Sequence, residues 1–132
     1  MITLPQGVEL VWHAMEDMYG GEIYVKKIPS MRIVDIAKAV SMTAQFKFIG
    51  IRPGEKIHEQ MIGSEDAPHT YEFPGYFKIL PAIHNWSKDQ NRIGSGMSVA
   101  QDFVYTSENN NDWMSIDALQ GWIKDYVFQG AL

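Results

Sequence analysis

The sequence predicts a small α+β domain, and three observations carry that prediction. Apolar residues recur at helical spacing near both ends of the chain, around Val8–Met18 and Ile116–Tyr126. Between them lie short β-branched and aromatic runs bounded by Gly and Pro, the pattern of strands and tight turns. With 132 residues, 45% hydrophobic and 20% charged, the chain suits one globular domain with a core of its own. We therefore expect a single domain over residues 1–132, with a short parallel strand pair, a hairpin and about three helices.

The first helix opens at a capping box. Thr3 can accept from a first-turn N–H while Gln6 reaches back to the Thr3 backbone, and Pro5 fits a turn whose N–H groups have no intrahelical partner. Val8, Val11, Trp12, Met15 and Met18 then give one apolar face, expected to be core, and Gly20-Gly21 ends the helix. Glu22-Ile23-Tyr24-Val25 reads as a strand, Ile28-Pro29-Ser30 as a turn, and residues 33–41 as a second amphipathic helix with Ile33, Ile36, Ala37 and Val40 on its face. Gln45–Ile51 reads as a second strand that breaks at Pro53-Gly54. Strand, helix and strand on short links suggest that 22–25 and 45–51 run parallel.

Lys56–Ile62 fits helix and strand equally. Thr70–Phe73 and Tyr76–Leu80 read as a hairpin about Pro74-Gly75. Residues 81–102 lack a clear period and are expected to form an irregular surface excursion, followed by a short strand at Phe103-Val104-Tyr105 and a polar turn at Asn109–Asp112. Ser115 is placed to cap a final helix that buries Ile116, Leu119, Trp122, Ile123 and Tyr126.

Composition narrows the function classes. A net charge of −5 argues against a general nucleic-acid binder, yet leaves room for an anionic ligand held by one or two placed cations. With no cysteine, disulfides and thiolate metal sites are impossible. His13, His58, His69 and His84 are too widely spaced to suggest a zinc site. Glu16-Asp17 and Glu65-Asp66 read as solvated charges, and the Trp residues as core, apart from Trp86 in the excursion. No apolar stretch approaches the ~20 residues of a membrane span, and no secretory pattern opens the sequence, so a cytoplasmic protein is expected.

One tetrapeptide could do chemistry. Arg52-Pro53-Gly54-Glu55 follows the expected strand 45–51, and the ends of strands are where open α/β structures hold ligands. The Arg52 guanidinium presents a fixed fork of donors that matches phosphate oxygens. Gly54 would let the backbone approach a ligand, Pro53 would stiffen the turn, and Glu55 could accept from the two hydroxyls of a ribose. The set suits a nucleoside diphosphate. It equally suits a plain β-turn with an exposed ion pair.

Sequence context favours the ligand. The run Glu22-Ile23-Tyr24-Val25-Lys26-Lys27-Ile28-Pro29-Ser30-Met31-Arg32-Ile33-Val34-Asp35-Ile36-Ala37 resembles the C-terminal region of UDP-N-acetylglucosamine 4,6-dehydratases. So do Gly50-Ile51-Arg52-Pro53-Gly54-Glu55-Lys56-Ile57-His58-Glu59 and Ile2-Thr3-Leu4-Pro5-Gln6-Gly7-Val8. Those enzymes are extended short-chain dehydrogenase/reductases of bacterial surface-polysaccharide pathways. The resemblance implies that Arg52 binds the UDP pyrophosphate, Glu55 the ribose, and Gly54 the backbone's close approach to the ligand.

It also implies a Rossmann domain that holds NADP, with a Tyr/Met-x-x-x-Lys pair for catalysis. Neither is found in these 132 residues, where Gly94-Ser95-Gly96 is a lone fragment of a Gly-rich loop. The expectation is therefore a UDP-N-acetylhexosamine-binding part of a 4,6-dehydratase, without catalytic, cofactor or metal residues of its own. Its partner would be a missing or separate Rossmann domain, with self-association covering apolar surface left bare. The alternative is a stand-alone binding or oligomerisation module, or a truncated gene fragment.

Overall fold

A computed structural model describes residues 2–127. In chain order the elements are α1 (Leu4–Asp17), β1 (Ile23–Lys26), α2 (Ile33–Val40), β2 (Gln60–Ile62), β3 (Thr70–Phe73), β4 (Tyr76–Ile79), α3 (Gln90–Ile93), β5 (Met97–Ser98), β6 (Tyr105–Thr106) and α4 (Ile116–Val127). Short 3-10 turns occupy Ala67–His69 and Ile83–Lys88.

Local signals in the sequence set most of the boundaries. The Thr3 hydroxyl accepts from Gln6 N at 3.2 Å and Gln6 Oε1 accepts from Thr3 N at 2.9 Å, so the capping box is formed in full. The Ser115 hydroxyl accepts from Ala118 N at 3.2 Å at the start of α4. Phe73 pairs with Tyr76 across Pro74-Gly75, with Gly75 at φ +86° in the third turn position, where a type II turn calls for glycine. In α4, Leu119 is fully buried while Ile116, Trp122 and Ile123 are half-buried; the Tyr126 side chain lies outside the described residues.

The sheet departs from expectation. β1 and 45–51 are not a parallel pair. Residues 45–51 form no strand, and β1 runs antiparallel to β4, with Val25 opposite Phe77 and Ile23 opposite Ile79. The reason is non-local: the hairpin delivers a ready edge to β1, while Gly50 at φ +78° breaks the extended path of 45–51. The resulting order is β1-β4-β3-β5, all antiparallel, with β2 and β6 as a second, two-stranded antiparallel sheet.

Alternation along the strands gives this sheet two unlike faces. One carries Val25, Phe77 and Ile79, buried with Ile62 and Tyr105 and flanked by Val99 and Phe103; this is the core. The other carries Tyr24, Phe73, Tyr76 and Lys78 and is covered by α1 and by the first half of the 81–102 excursion. That excursion is more ordered than expected. Its α3 places Arg92 against the buried Glu22 carboxylate, and the guanidinium also donates to Gly20 O at 2.9 Å. Glu22 in turn accepts from Tyr19 N at 3.1 Å and Gly20 N at 2.7 Å, tying off the chain after α1.

The apolar stripe of α1 also corrects the expectation. Val8, Val11, Trp12, Met15 and Met18 are all exposed, and none of the helix is buried. Contact with the sheet comes from the opposite side of the helix. His13 packs edge-on to Tyr76 at 4.7 Å, and Asp17 accepts from Tyr24 Oη at 2.6 Å and from Lys78 Nζ at 2.7 Å. Asp17, partly solvated, is thus also the counterion of a buried lysine. Trp12 and Trp113 are exposed rather than core, and in α2 Ile33 and Val40 face outward.

Candidate functional site

Residues 45–60 are all exposed and leave the body of the domain as an arm. Arg52-Pro53-Gly54-Glu55 forms its tip. Glu55 N donates to Arg52 O at 3.0 Å across a turn with Pro53 second and Gly54, at φ +83°, third, the arrangement of a type II turn. No heavy atom lies within 4 Å of where a Gly54 Cβ would stand, so the left-handed backbone, not crowding, calls for glycine here.

The turn brings the three expected site residues together. Arg52 N donates to Glu55 Oε2 at 2.7 Å, and Arg52 Nε lies 3.6 Å from Glu55 Oε1. With side chains 71% and 47% exposed, the ion pair stands in water. Such a pair contributes about 0–1 kcal/mol, so a better anion can displace the carboxylate from the guanidinium at little cost.

Where the arm rejoins the body, a polar cluster holds it that sequence reasoning passed over as a turn. Ser107 and Glu59 are bound twice: Ser107 N donates to Glu59 O at 2.8 Å, and Glu59 N donates to Ser107 Oγ at 3.1 Å. The Ser30 hydroxyl donates to Ser107 O at 3.0 Å, and Asn110 Nδ2 donates to Ile28 O at 2.7 Å. The Tyr105 hydroxyl both accepts from Ile28 N at 2.9 Å and donates to Ile28 O at 3.0 Å. The only signal for this cluster was the density of hydrogen-bonding side chains in Thr106–Asp112. Between these residues lies a cavity of about 210 Å³ with Met31 and Met61 on its apolar wall.

The strongest electrostatics lie elsewhere. Burial pushes the Asp17 carboxyl up, but hydrogen bonds from Lys78 and Tyr24, with the charges of Lys78 and His13, outweigh it and hold the group below the ordinary carboxylate value. Burial and the hydrogen bond to Asp17 raise the Tyr24 phenol well above its usual range, and burial likewise raises Tyr76. This cluster is wedged between α1 and the sheet and sustains packing. Trp86 is no open stacking platform, because the Arg92 guanidinium lies 4.1 Å from its ring centroid. Among the described residues no three His, Cys, Asp or Glu side chains gather as metal ligands.

Gly94-Ser95-Gly96 does not form the cradle of a dinucleotide cofactor. Gly94-Ser95-Gly96 follows the single turn of α3 instead of opening a helix, and a Cβ at Gly96 would stand 2.6 Å from the Phe73 ring. Gly96 thus serves packing against Phe73, and Gly94, at φ +57°, ends the turn of α3.

The profile of a family described as "Polysaccharide biosynthesis protein" matches residues 1–81. A "UDP-N-acetylglucosamine 4,6-dehydratase (inverting)" of Campylobacter jejuni serotype O:2 is 46% identical over 119 residues, covering 86% of this chain and 36% of that protein. A UDP-glucose 4-epimerase of Rickettsia akari is 35% identical over 83 residues, covering 60% of this chain and 24% of the enzyme. The X-ray structure of Pen from Bacillus thuringiensis superposes with a TM-score of 0.72 at 25% identity, over 95% of this chain and 36% of that one. The chain spans about a third of the length of the inverting dehydratases it matches.

Proposed function

The chain belongs to the polysaccharide biosynthesis protein family, and from that premise we propose that it is the nucleotide-sugar-binding part of a UDP-N-acetylhexosamine 4,6-dehydratase. The observation that carries the reading is the turn at Arg52–Glu55. It holds a guanidinium fork, a positive-φ glycine and a carboxylate within four residues, exposed and with the two charges paired to each other. In the bound state Arg52 exchanges Glu55 for the pyrophosphate oxygens, Glu55 accepts from the ribose hydroxyls, and Gly54 lets the backbone lie against the ligand. The similarity to 4,6-dehydratases and 4-epimerases of UDP-sugars supports a UDP-linked ligand over other diphosphates.

Redox chemistry is assigned to a partner. In the full-length family NADP would take up a hydride from the sugar and return it, and neither a GxGxxG run nor a Tyr/Met-x-x-x-Lys pair occurs in these 132 residues to serve it. The chain's own work is to bind and orient the nucleotide, while a Rossmann-type domain in another polypeptide, or in a longer form of this one, supplies the catalyst. The cytoplasm, where UDP-sugars are used, is the place this reading assigns, and no helix among the described residues is long and apolar enough to cross a membrane.

Calorimetric titration tests the site. UDP and UDP-N-acetylglucosamine should bind the full chain measurably, and Arg52→Ala should weaken both about tenfold or more, the scale of a lost charge-assisted contact. Undiminished affinity in Arg52→Ala would sink the assignment.

A further inference from the structure

The Glu55 carboxylate already sits in an anion site made by its own chain. Its Oε2 accepts from the Arg52 main-chain N–H at 2.7 Å, and its Oε1 stands 3.6 Å from Arg52 Nε. Two oxygens of one anion thus face a backbone donor and a guanidinium, the donors that a phosphate group would use. The first contact is a charge-assisted hydrogen bond, whereas the second is too long for one and acts through charge. The bond from Glu55 N to Arg52 O that closes the turn does not involve the side chain. The carboxylate can therefore swing away and leave the turn standing.

We propose that Glu55 is a gate on the phosphate site, which it plugs until a ribose draws it off. The inference rests on the nucleotide reading of the turn and adds a rule of specificity to it. A phosphate that binds Arg52 while Glu55 stays in place sets two anions side by side, and they repel. A ribose removes the conflict, because its two hydroxyls offer the carboxylate new hydrogen bonds in place of the one it gives up. Departure of Glu55 also frees the Arg52 main-chain N–H together with the guanidinium. The phosphate then gains a backbone donor as well as the side chain. The class admitted is a ribonucleoside diphosphate. Inorganic pyrophosphate, or a nucleotide without the ribose hydroxyls, meets the plug.

Calorimetric titration of the full chain with UDP, its dideoxy analogue lacking both ribose hydroxyls, and inorganic pyrophosphate tests the gate. The wild type should bind UDP about tenfold or more tighter than the analogue, the scale of hydrogen bonds to a charged group. Glu55→Ala should weaken UDP to the level of the analogue, yet strengthen pyrophosphate about twofold to fivefold, the range of a released exposed ion pair. A carboxylate that only held the ribose would leave pyrophosphate unchanged, and that result overturns the gate. Glu59→Ala removes the same charge from the exposed arm outside the turn and should raise pyrophosphate affinity far less. An equal gain there assigns the effect to net charge and also overturns the proposal. In Glu55→Ala the Arg52 amide proton should move downfield in the NMR spectrum as pyrophosphate is added; a stationary proton overturns the backbone contact. Where the gate fails but Arg52→Ala still weakens UDP, the nucleotide site survives without it. Where Arg52→Ala leaves UDP binding unchanged, the site and its gate fall together.

Discussion

The body of the domain and the arm at residues 45–60 both carry ion pairs, and they use them in opposite ways. In the body, Arg92 and Glu22 are 8% and 1% exposed, and Lys78 is 3% exposed beside Asp17. Arg92, Glu22 and Lys78 are each held by further hydrogen bonds or ring faces, and none of the three could leave its partner without standing alone in a dry site. On the arm, Arg52 and Glu55 pair with each other, with side chains 71% and 47% exposed. The same chemical pair is thus a fixed strut in one region and a replaceable stopper in the other. Burial, not residue type, makes the difference.

The largest effect that would break this contrast is expected at Glu22. Glu22→Ala strands Arg92 in the interior and unties Tyr19 and Gly20, so it should cost about 3–5 kcal/mol in denaturant unfolding. A loss below about 1 kcal/mol would mean that water reaches Arg92 and that the pair resembles the one on the arm.

Asp17→Asn comes next, at about 2 kcal/mol, less than a fully buried pair because the carboxylate is partly solvated. Its signature is in pH. The folded-state pKa of Asp17 is depressed, so its contribution is present above the unfolded value of 3.8 and is lost as pH falls through the lower folded value. The stability difference between wild type and Asp17→Asn should therefore shrink below about pH 4. Persistence of the full difference at pH 2 would show that it arises from packing. At the alkaline end Tyr24 behaves in the reverse sense. Its raised pKa means that stability is lost as pH rises above the usual phenol value of 10.0.

Smaller effects belong to the arm. Gly54→Val places a β-branched residue at φ +83° and should cost about 1 kcal/mol locally while weakening UDP binding through a distorted turn. Arg52→Ala should change global stability by less than about 0.5 kcal/mol, since an exposed pair contributes little. A clear drop in melting temperature for Arg52→Ala would erase the distinction between the two regions.

How much was legible in advance follows the same division between local and distant causes. The Thr3–Gln6 box, the Pro74-Gly75 hairpin, the Ser115 cap and the turn at Pro53-Gly54 all appear where the residues placed them, because each is built from atoms at most a few positions apart. The turn that groups the three proposed ligand-binding residues was legible for that reason too, being entirely local. The cluster of Ser30, Tyr105, Ser107 and Asn110 was not, since its hydrogen bonds join segments more than seventy residues apart.

The sequence by itself determined the helices, the hairpin, the composition of the Arg52 turn and the family likeness. Tertiary structure alone decided which neighbour β1 would take, that residues 45–51 would stay unpaired, and which way α1 would face. A strand becomes a strand only when a partner edge is within reach, and periodicity says that a helix has an apolar side without saying what will cover it. In α1 the domain takes the polar side, through Asp17 and Lys78, and leaves the apolar one to something else.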